Sequence, residues 1–249
     1  MPVPATKGQL RTRIEYMQIG DYIICEYQAN SGVVGEFRNL GTSTAPEIPV
    51  TGAAAPNGSF YLVMVDKKPG HGGILIADRV IQHSILWTTL NNEKMIQGKP
   101  LDGYFNTPNP NVLPIGISVI VRSLTGGVAY ADENGNLTYV QPNPSRGGFP
   151  LSNEWDRYVM NFPPYLIQDG MSADDVFHYS VVGTLVQDTT AGTQWRNMGG
   201  ATLPITSSYR VYRGYTGRTD NNWKDVSFVT QADAVYWVGF RPVFEYKEG

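Results

Sequence analysis

The sequence predicts an α+β fold with mixed or antiparallel sheets, a few short helices and long loops. The chain of 249 residues contains 27 glycines and 17 prolines among short apolar runs, which is typical of many turns between short strands. Few segments have helical periodicity, and the regular strand and helix alternation of a parallel sheet is missing. The hydrophobic content of 41% suffices for a buried core, so a globular protein is expected.

Side-chain alternation is the main evidence for strands. In residues 18–28, Tyr22, Ile24 and Glu26 alternate with Ile23, Cys25 and Tyr27. A period of two residues is the spacing of a strand. Further strands are predicted at 60–66, 74–81, 117–124, 209–215 and 234–246. Small residues and prolines predict long loops at 39–59 and 98–116, and glycines predict a hairpin turn at 67–73.

The clearest helix is predicted at residues 152–162. Trp155, Tyr158, Val159 and Phe162 are spaced i, i+3, i+4 and i+7, and Ser152 is the expected N-cap. Two shorter helices are predicted, one after an N-cap at Ser84 and one after Ser172 with Asp174 and Asp175 in its first turn. The tryptophans Trp155 and Trp237 are expected in the core.

Charge and cysteine content exclude several classes of protein. The net charge of −3, with 19 basic residues spread along the chain, gives no general attraction to polyanions, so nucleic-acid binding is not expected. The single cysteine, Cys25, excludes an internal disulfide and a thiolate metal cluster. No apolar stretch approaches the roughly 20 residues of a membrane span, and residues 1–13 lack the apolar core of a signal peptide.

Residues that could carry chemistry are scattered. His71, His83 and His178 lack metal-ligand spacing, so single satisfied or exposed histidines are favoured over a zinc site, and no cofactor is expected. Residues 131–136 have the oxygen spacing with which a calcium loop begins, but Asn-Gly between strands favours a hairpin turn. Nothing assembles a nucleophile, a base and an orienting group, so the sequence gives no argument for an enzyme.

A resemblance covers roughly residues 60–247. In order, the chain contains DRVIQHSILWTTLN, GFPLSNEWDRYV, DVFHYSVVGTLVQD, RVYRGY and VGFRPVFEY. This series resembles the C-type-lectin fold of the formylglycine-generating-enzyme type. The family's motifs fall on Glu154 and Trp155, on 176–179 and Asp188, on Arg210, Arg213 and Gly214, and on Gly239, Phe240 and Arg241. The resemblance implies an N-terminal arm with a loop at 1–58 and a C-type-lectin-like domain at 59–249.

The departures from this family indicate a branch without enzymatic activity. The enzymes carry paired cysteines near the C-terminus, and this chain has none there, which excludes their oxidase chemistry. The remaining branch resembles the phage major tropism determinant, and GDYI, NGSFYLVMV, IADRVIQHSI and NEWD resemble prophage tail or tail-fibre proteins of Gram-positive hosts. This implies a virion protein that acts outside the cell and binds a host receptor, either a glycan or a protein, together with other virion proteins.

Three functional hypotheses therefore stay open. The first is a tail-associated receptor-binding protein. The second is a structural virion protein, either a capsid decoration or a tail-assembly subunit, in which residues 1–20 and 39–59 hold neighbours. The third and weakest is a sugar-active or oxidative relative. A homotrimer is compatible with a fibre tip, although no heptad repeat predicts one.

The contact surface is predicted near residues 207–236. A loop with tryptophan, tyrosine, arginine and asparagine has the composition of a paratope. The predicted ligand-binding residues are Tyr215, Arg218, Asp220, Asn221, Asn222 and Trp223, with a second wall at Trp195 and Arg196. The segment 210–214 is interpreted as a framework strand and 215–223 as the displayed loop, although a functional role for Arg210, Val211 and Arg213 is left open.

Overall fold

The computed structural model describes residues 3–68, 70–101, 117–128, 148, 150, 152–189, 194–196, 202–204, 208–215 and 226–248, with the backbone alone for 194–196 and 202–204. The strands of the described residues are β1 (Leu10–Arg11), β2 (Tyr22–Gln28), β3 (Glu36–Arg38), β4 (Asn57–Lys68), β5 (Gly72–Ala77), β6 (Gln82–His83), β7 (Lys99–Pro100), β8 (Ile117–Arg122), β9 (Gly183–Thr189), β10 (Gln194–Arg196), β11 (Thr202–Pro204), β12 (Tyr209–Arg213), β13 (Val226–Thr230), β14 (Val238–Phe240) and β15 (Val243–Glu248). The helices are α1 (Trp87–Asn92), the π-helical α2 (Trp155–Met160) and α3 (Ala173–Phe177), with 3-10 turns at Ile14–Tyr16 and Pro164–Leu166.

Eight of these strands form the larger sheet. Their order is β1-β2-β4-β5-β15-β8-β7, with β3 also paired to β2. Only the pairing of β1 with β2 is parallel among the described pairs of this sheet. The predicted segments 1–58 and 59–249 both contribute strands to it, and the last strand, β15, lies between β5 and β8. The predicted mixed, α+β architecture is confirmed at this level.

The smaller sheet contains β12 and β13, the strands before and after the predicted displayed loop at 215–223. Its order is β13-β12-β9-β14-β6, in which β14 pairs with β9 in parallel and the other neighbours are antiparallel. The strands β10 and β11 form a separate two-stranded sheet. The turn predicted at 67–73 is confirmed, because β4 and β5 pair antiparallel on either side of it. The hairpin predicted at 131–136 lies outside the described residues.

Two apolar cores cover opposite faces of the sheets. In β2, Ile23 and Cys25 point into the first core, whereas Tyr22 points into the second. The first core also includes side chains of α1 and of the smaller sheet, such as Leu90 and Phe240. The second is closed by α2 and α3. The alternation that predicted β2 therefore reflects a strand whose two faces are both buried.

The links between the two sheets contain the arginine junction, which consists of Asp78, Arg79 and Arg241. Residues 78–81 connect β5 to β6, and residues 241–242 connect β14 to β15. Arg79 is fully buried, pairs with buried Asp78 at 2.6 Å and also contacts Glu47. Arg241 is fully buried and donates to Thr184 Oγ1 and to the carbonyl oxygens of residues 77 and 177, at 2.7–2.9 Å. Charged groups thus hold the crossing points of the two sheets.

The helix at the centre of the resemblance is confirmed, but its predicted cap is wrong. Trp155, Tyr158, Val159 and Phe162 are buried as predicted. The helix begins after Glu154, and Ser152 is exposed. The next residue, Asn153, binds the first turn instead, since its Oδ1 accepts the Asp156 N–H at 2.9 Å. Asparagine, like serine, is a preferred residue at this position because its short side chain carries an oxygen that can accept an N–H of the first turn.

Of the caps predicted for the other two helices, one is confirmed and one is wrong. Ser172 caps α3 in a reciprocal capping box with Asp175, as the sequence predicts. Ser84 does not cap α1, which begins after Leu86 without a side-chain cap. Ser84 has a left-handed backbone, and its hydroxyl lies 2.9 Å from His83 Nδ1.

Of the tryptophans expected in the core, Trp155 is fully buried, and Trp237 is partly buried against the first core. Among the described residues, no helix is long and apolar enough to cross a membrane.

Candidate binding site at the end of strand β12

β12 is hydrogen-bonded to a strand on each side, and the predicted loop begins after it. It pairs with β9 and with the edge strand β13, and Arg213 lies opposite Val226. Residues 216–225 therefore connect two paired strand ends. Val211 and Tyr212 are buried on opposite sides of the sheet, one in each core. The strand below the loop is thus fixed by packing on both faces, which confirms the framework interpretation of Val211.

Arg213 is the centre of a buried group that we call the Arg213 cluster: Arg213, Asp156, Asn153, Gly126 and Gly148. The guanidinium is fully buried and binds both carboxylate oxygens of Asp156, at 2.7 and 3.3 Å. It also donates to the carbonyl oxygen of Gly126 and lies 5.8 Å from the centre of the Trp155 ring. A paired, two-point contact of this kind fixes the side chain, so Arg213 is a framework residue.

The same cluster closes the base of a second segment. Asp156 Oδ2 accepts from Asn153 Nδ2 at 2.7 Å and from the Gly148 N–H at 3.2 Å. A Cβ atom added to Gly148 would lie 2.3 Å from the Gly126 carbonyl oxygen, so glycine is required there. The chain on either side of 129–147 therefore meets beside Arg213, close to where 216–225 begins.

Asp188, at the end of β9, ties the same place to the sheet. Its carboxylate accepts the Gly126 N–H at 2.6 Å. Burial raises the pKa of Asp188, while the N–H groups of Gly126 and Gly127 and the charge of Arg213 act in the opposite direction. These neighbours hold the carboxylate in place, which favours a structural role for Asp188 over that of a catalytic base.

The chain leaves β12 through two consecutive left-handed residues. Gly214 has φ +83° and Tyr215 has φ +70°. The Tyr215 N–H donates to the Tyr179 carbonyl oxygen at 2.9 Å. A Cβ atom on Gly214 would lie 2.5 Å from that oxygen and 3.1 Å from the Trp155 ring, so only glycine fits. Trp155 and Tyr179, which pack edge to face at 6.1 Å, thereby set the direction in which the loop departs.

Few of the predicted ligand-binding residues can be placed. Tyr215 is half-buried at the start of the loop. The others in this loop, namely Arg218, Asp220, Asn221, Asn222 and Trp223, lie outside the described residues. Trp195 and Arg196 lie in β10, where Trp195 pairs with Leu203 of β11.

The two predicted parts of the binding site, the loop from Tyr215 and the pair Trp195 and Arg196, lie in segments that connect to opposite ends of β12. The hairpin of β10 and β11 is inserted between Thr189 and Tyr209, at the start of β12, whereas Tyr215 follows its end. A strand of five residues is about 13 Å long. The structure therefore brings Tyr215 next to the Arg213 cluster but does not place Trp195 and Arg196 beside it.

Arg210 faces the first helix. Its guanidinium lies 4.2 Å from the centre of the Trp87 ring and donates to Gln231 Oε1 at 2.7 Å. Burial lowers the pKa of Arg210. Trp87 in turn donates to the Val186 carbonyl oxygen at 3.3 Å, so Arg210 links α1 to the smaller sheet. The question that the sequence left open for Arg210 is answered in favour of framework.

The histidines lie in different environments. His71 is exposed in the turn between β4 and β5, and burial lowers the pKa values of both His83 and His178. His178 ends α3 in a left-handed conformation, with φ +45°. Within the ranges that the structure describes, no three histidine, cysteine or acidic side chains come together as metal ligands.

Fold and site together define a mixed α+β protein whose C-terminal loops start from a buried charged framework. Comparison with known proteins gives no family model that matches, no matching curated protein and no matching solved structure. The function is therefore argued from the residues themselves.

Proposed function

We propose that this chain is a non-enzymatic virion protein of a phage or prophage, associated with the tail, which binds a host cell-surface receptor through the loops around residues 207–236. We also propose that its fold is of the C-type-lectin type. The receptor is a glycan or a protein on the outside of the host cell. The proposed contact residues are those that the sequence predicts around Tyr215 and Trp223.

The observation that carries the proposal is the change in burial along one short segment. Residues 211–214 are buried, and Arg213 is fixed by Asp156. Tyr215 is half-buried, and the ten residues that follow connect the ends of β12 and β13. A loop of polar and aromatic residues on a rigid strand is the usual construction of a binding surface, because the scaffold limits the entropy lost on binding.

The order of elements supports the proposed fold. The motifs of the resemblance fall on elements of the described chain in the expected sequence: Trp155 begins α2, Asp188 lies in β9, Arg213 ends β12 and Gly239 lies in β14. Arg213 and Arg241, the arginines of the RG and GFR motifs, are both fully buried. The motifs thus coincide with the interior of the protein, which suits residues that specify a fold.

The proposal is tested by removing the tryptophan of the loop. We expect Trp223→Ala to weaken binding to a printed array of bacterial cell-wall polysaccharides, or to intact Gram-positive cells, by about tenfold or more. The Tm should stay within about 1 °C, because surface substitutions rarely change stability by more than about 0.5 kcal/mol. Tyr165→Ala is the control, since Tyr165 is 75% exposed outside the proposed surface. Equal binding by Trp223→Ala and the wild type would refute the assignment of the surface.

One observation favours the second candidate, a structural virion subunit. Several large apolar side chains are exposed on two segments, 3–20 and 163–171, which hydrogen bonds join at Lys7 and Gln168. These side chains are Val3, Leu10, Tyr16, Ile19, Tyr165 and Met171. Exposed apolar groups on adjoining segments are typical of surfaces that contact other proteins.

Electron microscopy of particles separates the two candidates. A capsid decoration would be present in many copies across the shell, whereas a receptor-binding protein would lie at the tail. If particles lacking this protein assemble normally but no longer adsorb to cells, the receptor-binding proposal is supported. If they fail to assemble, the structural candidate replaces it.

A further inference from the structure

Tyr215 has a backbone conformation that a tyrosine rarely adopts. Its φ of +70° lies in the left-handed region, where the Cβ atom of an L-residue crowds its own backbone. Bulky side chains are outliers there, whereas glycine and asparagine enter readily. Gly214 before it is also left-handed, at +83°, so a second small residue would fit the path of the chain without strain.

Although Tyr215 is half-buried, its phenol makes no directional contact with the described residues that would offset this strain. The hydrogen bond to the Tyr179 carbonyl comes from the backbone N–H, which any residue except proline would supply. Among the described residues, the Tyr215 side chain has no hydrogen bond, ion pair or ring contact. A second left-handed aromatic residue of the described chain, His178, closes a helix, which is a common place for this conformation.

We propose that Tyr215 is the specificity-determining residue of the candidate site, retained for its ring at a cost in stability. This inference rests on the proposed function. Strained backbone is characteristic of binding sites, where the surrounding structure enforces a conformation that the function needs. Gly214, Trp155 and Tyr179 constrain the backbone here, and they thereby fix the direction in which the Tyr215 side chain leaves the chain. A side chain on a backbone that is fixed in advance loses less entropy on binding than one on a mobile loop, which favours discrimination between receptors.

The stability arm of the test uses Tyr215→Asn and Tyr215→Gly. Because both residues accept the left-handed region, we expect Tyr215→Asn to raise the Tm by about 2–4 °C and Tyr215→Gly by less, since glycine also gains entropy in the unfolded chain. Tyr165→Asn is the matched control: Tyr165 is exposed without a positive φ, so its replacement should not raise the Tm. A fall in Tm for Tyr215→Asn would overturn the inference, because the ring would then stabilise the fold.

The binding arm uses the same polysaccharide array and intact cells. We expect Tyr215→Asn to weaken binding by about tenfold or more and to change the ranking of the polysaccharides, whereas Tyr215→Phe keeps the ranking. Wild-type binding by Tyr215→Asn would overturn the inference while Trp223→Ala still decides the proposed function. If the wild-type protein binds neither the array nor cells, the proposed function fails, and the claim of a receptor-selecting ring fails with it, whatever the Tm of the variants.

Discussion

The arginine junction and the Arg213 cluster are both built on fully buried arginines, but their partners differ. Arg79 and Arg241 bind buried Asp78 and three neutral oxygens of the sheets and their links, and Arg79 also contacts Glu47, whose side chain is 26% exposed. Arg213 binds Asp156, whose side chain is 14% exposed and which also holds the backbone of Gly148. The junction therefore fixes the two sheets to each other, whereas the cluster fixes the ends of loops.

The charge of the junction is balanced unevenly. Arg79 has two carboxylates in contact, Asp78 and Glu47. Arg241 has no carboxylate in contact among the described residues, and burial lowers its pKa to about 10, although the charge of Asp78 acts in the opposite direction. At neutral pH both arginines stay charged. Buried arginines in this fold are thus held by hydrogen bonds to fixed oxygens, and the cost of a substitution depends on the partner that it leaves behind.

The largest expected effect is at the junction. Arg79→Met would leave Asp78 as a buried carboxylate without its cation, and we expect a loss of about 3–5 kcal/mol in the free energy of unfolding, measured by urea denaturation. The double variant Asp78→Asn/Arg79→Met should recover part of this loss, because asparagine removes the charge and still accepts the Tyr61 N–H. Equal stability of the single and double variants would show that the buried charge is not the cause.

A smaller effect is expected at the exit from β12. Gly214→Ala places a Cβ atom 2.5 Å from the Tyr179 oxygen in a left-handed residue, and we expect it to cost about 2–4 kcal/mol. Gly170→Ala is a matched control, because Gly170 has φ +81° with nothing within 4 Å of its Cβ position. It should cost only the backbone strain, about 1 kcal/mol. If Gly214→Ala and Gly170→Ala lower the Tm by the same amount, the packing of Trp155 and Tyr179 does not constrain the loop exit.

Local elements of the fold could be predicted from the sequence, whereas the pairing of distant strands could not. Local patterns gave the strand at 22–28, the buried face of α2 and the capping box of α3, because these depend on neighbours within a few residues. The pairing of β15 between β5 and β8 depends on contacts between residues more than a hundred positions apart, which no local pattern encodes.

The candidate site shows the same limit. Its composition identified the loop after β12, but Asp156 and Arg213 are 57 residues apart, and nothing in either segment indicates that they pair. From local sequence alone, Asp156 is an acid in the first turn of α2, a position that suits the helix dipole and says nothing of Arg213. The left-handed pair at Gly214 and Tyr215 could be suspected from the glycine alone, whereas the conformation of the tyrosine could not.

The smallest effect is expected at His178, which lies between the two regions. It ends α3 near Asp78, Asp174, Arg79 and Arg241, and the next residue, Tyr179, accepts the hydrogen bond of the Tyr215 N–H. Burial lowers the pKa of His178, so on acidification the unfolded chain takes up the proton before the folded one. Its contribution to stability is therefore complete above the unfolded pKa of about 6.5 and is lost as the pH falls toward the folded pKa.

We expect His178→Asn to flatten the loss of stability as the pH falls below about 6.5, measured as the change in urea midpoint at each pH. Asparagine suits the left-handed φ of +45°, so the variant should keep the turn after α3. Burial also lowers the pKa of His83, and some pH dependence should therefore remain, which His83→Asn in addition would remove. An unchanged slope in His178→Asn would mean that burial does not hold His178 neutral in the folded protein.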